Sequence, residues 1–87
     1  MQLHPNPELA IRKIDNEVFI YDRNRSLIHT FNETGALLWI AFERGCSKKE
    51  MGNLLVDEYE VDPSTATEDV ESFFTTLQSL CLAIATA

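Results

Sequence analysis

The sequence predicts an α+β fold in which a three-stranded antiparallel sheet precedes three helices. Two observations support this prediction. Apolar residues alternate with a period of about two between Leu9 and Phe31, as half-buried strands do, and recur with a period of about 3.6 from Asn32 onward, as helices do. At 87 residues the chain has the length of one small domain, and we expect a single domain over 1–87 with its core at about 8–82.

Turn-forming residues separate the three predicted strands. Leu9 to Ile14 and Glu17 to Tyr21 flank Asp15-Asn16, a pair that favours a tight hairpin. The third strand, Ser26 to Phe31, follows a polar break in which Asn24 is suited to a left-handed backbone conformation. A meander of three strands is therefore expected.

Each predicted helix has a recognisable start. Asn32 can cap a first helix that runs to Arg44. The segment Ser47 to Glu50 is a capping box for the second helix, and Asp62-Pro63 supplies the cap and first residue of the third. The tail after Leu82 carries no clear cap signal, and no element is assigned to it.

Charge and composition exclude several classes of function. The net charge is −7, and the seven basic residues fall in three separate places among acidic neighbours, so no nucleic-acid partner is expected. The longest apolar run, Ala36 to Phe42, is far shorter than the ~20 residues of a membrane span, so no membrane partner is expected. We expect a cytoplasmic protein in which Cys46 and Cys81 stay reduced.

Patterns typical of catalysis or metal binding are missing from the sequence. It shows no nucleophile with a base, no carboxylate pair in an apolar setting and no glycine-rich phosphate loop. His4, His29, Cys46 and Cys81 stand singly, without the spacing of zinc ligands. We therefore expect neither an enzyme nor a cofactor or metal.

A set of short motifs occurs in a fixed order along the chain. The motifs are Phe31 to Ala36, Leu38-Trp39, Gly45 with Ser47, Tyr59, and Asp69-Val70 followed by Phe73-Phe74 and Leu77. In this order they resemble the PqqD-like family of recognition elements for ribosomally synthesised and post-translationally modified peptides (RiPPs). The resemblance covers about residues 8 to 82 and implies a winged-helix-like fold.

The resemblance also implies a function. Members of the family bind the leader segment of a precursor peptide as an added strand beside the third strand, in a groove also walled by the third helix, for a modifying enzyme such as a radical-SAM maturase. The positions that correspond to this groove are Leu27, Ile28, His29, Thr30, Phe31, Asp69, Val70, Phe73, Phe74 and Leu77. Two departures from the family are Cys81, where a glycine commonly ends the third helix, and the apolar tail Leu82 to Ala87, which has no counterpart.

The residues themselves are compatible with such a site and with simpler roles. An edge strand offers unpaired amides and carbonyls to an extended chain, although helices or the tail could equally cover that edge. Helical spacing places some of the apolar residues of the third helix in the core. Asp69 is a solvated charge or a partner for a basic leader residue, and His29 is a packed or exposed ring unless it senses pH or binds a metal.

Two other functions fit the same predicted elements. A DNA-binding winged-helix regulator would use Lys48-Lys49 at the start of the second helix, although the acidity of the chain argues against it. A generic adaptor would dock a helix of its partner rather than a strand.

Overall fold

The computed structural model describes residues 2–86 and contains two antiparallel sheets and three helices. The three-stranded sheet has the order β2-β3-β4, formed by Leu9–Ile14, Glu17–Asp22 and Leu27–Phe31. Three helices follow it: α1 (Glu33–Glu43), α2 (Lys48–Tyr59) and α3 (Pro63–Ser79). The predicted α+β fold with three strands before three helices is confirmed.

A second, two-stranded sheet joins the ends of the described chain. Strand β1, Gln2–Pro5, pairs with β5, Ala83–Thr86, in antiparallel register. The sequence analysis assigned no element to either segment. Residues 83–86 of the apolar tail thus form a strand paired with β1, and Ala87 lies outside the described residues.

The local start signals of the helices act as predicted. Asn32 caps α1 by accepting a hydrogen bond from the Gly35 amide at 3.4 Å. The capping box of α2 is complete, because Ser47 Oγ accepts from the Glu50 amide at 3.1 Å and Glu50 Oε1 accepts from the Ser47 amide at 2.8 Å. The hydrogen bonds that the Glu50 carboxylate receives from Ser47, chiefly from its backbone amide, hold the pKa of this carboxyl below its usual value.

The turn between β3 and β4 differs from the prediction. The left-handed residue is Ser26, with φ of 53°, and not Asn24. The buried Asp22 carboxylate explains this difference, because its Oδ1 accepts hydrogen bonds from the backbone amides of Asn24 and Arg25 at 3.0 and 3.2 Å. These bonds fix the first half of the turn, and the reversal into β4 falls on Ser26.

The core lies between the sheet and the helices and contains a continuous aromatic cluster. Its members are Phe31, Trp39, Phe42, Phe73 and Phe74, with neighbouring ring centroids 5.5 to 6.1 Å apart. Trp39 is fully buried at its centre. The cluster links β4 through α1 to α3 and so fixes the position of the third helix relative to the edge of the sheet.

Candidate functional site

Strand β4 forms a free edge of the three-stranded sheet. It pairs with β3 on one side, and no other described strand pairs with it on the other. An edge of this kind presents backbone amides and carbonyls that an extended peptide can pair with.

The hairpin between β2 and β3 determines which backbone groups face each neighbour. Ile14 and Glu17 pair across a turn of two residues, 15–16, and the residues that close such a turn exchange both backbone hydrogen bonds. Backbone groups alternate in direction along a strand. The odd-numbered residues of β3 therefore bond to β2, and its even-numbered residues direct their amides and carbonyls towards β4.

The same alternation identifies the free groups on β4. The even-numbered residues of β3 pair with the odd-numbered residues of β4, among them His29, which is opposite Ile20. Those residues are hydrogen-bonded inward. The amides and carbonyls of Ile28 and Thr30 consequently point to the free edge.

The side chains of β4 alternate between the two faces of the sheet. Leu27, His29 and Phe31 lie on the face that packs against the helices, because they are opposite the buried residues of β3. Leu27 is nevertheless 49% exposed, so the helix side of the edge is open at that end. Ile28 and Thr30 project to the outer face, where Ile28 is 69% exposed.

Helix α3 lies across a gap from this edge. No Cα atom of β4 is within 8 Å of a Cα atom of α3, whereas the rings of Phe31 and Phe73 meet with centroids 5.5 Å apart. The two elements therefore meet through side chains, and the ring pair spans the space between their backbones. We call this space the β4–α3 groove.

Position along the helix decides which residues of α3 and of its C-cap, Leu80, share the face of Phe73. Asp69 lies one turn before it and is exposed, and Leu80 lies two turns after it and is 37% exposed. Leu80 was absent from the predicted groove set. Its spacing of seven residues from Phe73 is the sequence signal that could have identified it.

Three of the predicted groove residues on α3 are directed mainly into the packed interior. Phe74 meets the ring of Phe42 edge-on at 5.5 Å and carries Lys48 Nζ 5.1 Å above its ring, which places it towards α1 and α2. Val70 lines a cleft between α2 and α3. Leu77 is fully buried. These buried side chains hold α3 in place, and Phe73 contacts β4 through the ring of Phe31.

Gly35 allows Phe31 to lie against α1. A Cβ atom at position 35 would come within 3.0 Å of Phe31 Cβ, which is tighter than ordinary packing permits. The glycine of the motif that follows β4 therefore determines how closely the end of the strand approaches the helix.

Other concavities of the described residues lie away from this groove. One of about 500 Å³ is lined by Leu3, Cys46, Phe74 and neighbours, and one of about 230 Å³ lies between the β2–β3 hairpin and the end of α2. A strand edge beside a helix is a shallow trough rather than an enclosed cavity, so volume alone does not identify it. Within the described residues no three metal-ligating side chains come together.

Comparison with known proteins decides the family. The family model described as "Coenzyme PQQ synthesis protein D (PqqD)" matches residues 17–83. This chain belongs to the PqqD family. The resemblance inferred from the sequence motifs is confirmed.

Two solved structures are similar to this PqqD-family chain. "TbiB1 in Complex with the TbiA(beta) Leader Peptide" is 23% identical over 97% of this chain and 98% of that chain, with a TM-score of 0.90. "Lasso peptide synthetase B1 complexed with the leader peptide" is 24% identical over 98% and 100%, with a TM-score of 0.89. Both confirm the fold. No curated protein matches this sequence significantly.

None of the helices that the structure describes in this PqqD-family chain has the length and apolar composition needed to cross a membrane.

Proposed function

We propose that this chain is a non-enzymatic recognition element that binds the leader segment of a ribosomally made precursor peptide in the β4–α3 groove. The leader adds as a strand antiparallel to β4, and the chain presents it in the cytoplasm to a modifying enzyme such as a radical-SAM maturase. The observation that carries the proposal is the free edge at Ile28 and Thr30 beside a helix whose Cα atoms all lie more than 8 Å from those of β4. Membership of the PqqD family, and the leader peptides named in the two similar structures, support it.

The energetics of strand addition require the groove as well as the edge. Ile28 and Thr30 together offer two amides and two carbonyls, and each hydrogen bond adds about 0.5–1.5 kcal/mol net. The resulting 2–6 kcal/mol falls short of the ~8 kcal/mol of micromolar binding. Burial of leader side chains against Leu27, Phe31 and Phe73 supplies the remainder.

Phosphate binding has less support from the charges. Lys48 Nζ lies 3.2 Å from Glu71 Oε1, and Lys13 Nζ lies 2.9 Å from Glu43 Oε1. Arg25 contacts the buried Asp22 at 3.4 Å. Basic groups already paired with carboxylates in a chain of net charge −7 attract a phosphate backbone weakly.

Proline substitution tests strand addition at the two outward-facing amides. We expect Ile28→Pro and Thr30→Pro each to weaken leader binding at least about tenfold beyond the corresponding alanine variants, because proline removes the donor and alanine does not. Binding is measured by calorimetry with the TbiA(beta) leader and with synthetic leaders of short peptides encoded beside this chain's own gene. His29→Pro is not a suitable test, because the His29 amide is hydrogen-bonded to β3 and its loss would disturb the sheet itself.

Lys13→Pro is the matched control for these variants. Lys13 lies on β2, the opposite edge of the same sheet, and its amide also points outward. It should leave leader affinity unchanged in a protein whose circular dichroism matches the parent.

Amide shifts in labelled protein map the binding surface. The largest changes are expected at 27–31 and 69–80. Changes confined to 44–49, or proline variants that bind like their alanine counterparts, would refute strand addition. Failure of every leader to bind would refute leader recognition itself, and retardation of random duplex DNA at low salt would support a DNA-binding regulator instead.

A further inference from the structure

Two ring nitrogens in the described residues are buried without a hydrogen-bond partner, and one of them belongs to the strand that borders the groove. They are Trp39 Nε1, in the aromatic cluster, and His29 Nε2. The His29 side chain as a whole is only partly buried, and it lies between Leu27 and Phe31 on the helix side of β4. A buried polar atom left unpaired is unfavourable, so a partner for His29 Nε2 would be stabilising.

The register of an added strand places one ligand residue directly against His29. Because Ile28 and Thr30 direct their backbone groups outward, an antiparallel strand forms its hydrogen-bonded pairs with these two residues. The ligand residue between those pairs is opposite His29 in a non-hydrogen-bonded pair, in which Cα atoms approach to about 4.5 Å. Residues directly opposite each other share a face of the sheet, so this side chain enters the β4–α3 groove beside the imidazole.

The chemistry of the imidazole and the register of β4 indicate which ligand side chain fits. An imidazole nitrogen donates or accepts according to its tautomer, and a hydroxyl or carboxamide can serve either case. A carboxylate is disfavoured, because an ionised group is costly to desolvate and Asp69 lies on the same face of α3 as Phe73. The ligand residues two positions to either side face Leu27 and Phe31, which are apolar.

We infer that His29 is a specificity-determining residue, and that the chain selects peptide strands with an uncharged hydrogen-bonding side chain flanked at two residues on each side by apolar ones. This inference rests on the proposed strand addition. It defines a five-residue pattern, apolar–any–hydroxyl or amide–any–apolar, centred opposite His29.

Selection from a displayed library of random 12-residue peptides tests the pattern directly. Peptides that bind the parent should be enriched in the alternating pattern with Ser, Thr, Asn or Gln at its centre. The same selection on His29→Leu should enrich an apolar residue there. The inference would be refuted if the parent selected peptides with only apolar central residues, or if parent and variant selected the same central residues.

A double-mutant cycle with one selected peptide measures the contact. Replacing a central Thr by Val, or His29 by Leu, should each weaken binding about 5- to 10-fold, and the two changes together should cost little more than one. His29→Gln, which keeps a hydrogen-bonding group, should retain the preference for Thr. Losses of affinity that simply add in the double mutant would refute the contact. If His29→Leu does not fold, His29→Gln and the peptides selected by the parent still test the role of His29.

The proline variants separate this inference from the proposed function. Loss of binding in Ile28→Pro and Thr30→Pro without any preference at the centre would leave strand addition standing and refute the role of His29. Proline variants that bind normally would refute strand addition, whatever the peptides share.

Discussion

Replacement of Trp39 tests whether the aromatic cluster supports the position of α3. The side chain is fully buried, and its ring lies 6.1 Å from that of Phe31 and 5.5 Å from that of Phe42. A buried aromatic side chain of ~150–250 Å² corresponds to about 4–6 kcal/mol at ~25 cal/mol per Å². Correction for burial already present in the unfolded chain lowers this by ~10–40%, so Trp39→Ala should reduce the free energy of unfolding by about 3–5 kcal/mol.

Urea unfolding followed by far-UV circular dichroism measures this change. The midpoint should fall with little change in slope, because the substitution alters the native core rather than the extent of unfolding. Trp39→Phe is the informative second variant, since it keeps an aromatic ring and removes the unpaired indole N–H. It should cost well under half as much as alanine. A Trp39→Ala protein with the parent midpoint would show that this burial does not stabilise the fold.

Three further substitutions test the local structure. Ser47→Ala should lower stability by about 1 kcal/mol in urea titrations with unchanged leader affinity, because alanine cannot accept the hydrogen bond of the Glu50 amide. Asp22→Ala should cost about 1–3 kcal/mol by leaving two turn amides unpaired, and Asp22→Asn should cost less in the same assay. Cys81→Gly should raise the melting temperature, with a gain of up to about 1 kcal/mol, because Cys81 has φ of 59°. A melting temperature below the parent's would refute this last expectation.

Features that depend on neighbouring residues were predictable from the sequence. The Asn32 cap, the capping box and the two-residue hairpin each involve groups within three positions of one another, and all three occur as expected. The left-handed position in the β3–β4 turn was wrong because it depends on burial of Asp22, which the local sequence does not reveal.

Strands β1 and β5 could not be predicted by the same means. Their paired residues, such as His4 and Ile84, are separated by almost the whole chain, and each strand has only four residues. Such a sheet becomes apparent only when the core brings the two ends together.

The candidate site was predictable as an edge but not in its detail. The sequence indicated β4 and α3. Which of their residues present backbone groups, which present side chains and which pack inside follows from the register and the packing. Ile28 and Thr30 offer backbone groups, Leu27 and His29 offer side chains, and Phe74 belongs to the packing between helices. Side chains alternate with a period of two in a strand and 3.6 in a helix, so consecutive residues of either element point in different directions and have different roles.

The two edges of the sheet differ in a way that favours β4 over β2 for an incoming strand. Both edges expose backbone groups, but the helix side of β2 carries Lys13, whose ammonium lies 2.9 Å from Glu43 Oε1. A strand added there would place its side chains beside an ion pair and desolvate it, and inward-facing charges of this kind are a common protection of sheet edges. The corresponding side of β4 presents Leu27, His29 and Phe31, with no charged side chain among them. The charge of Lys13 therefore disfavours an added strand at β2, and we expect an extended peptide to gain affinity at β4, where apolar side chains flank a single unpaired nitrogen.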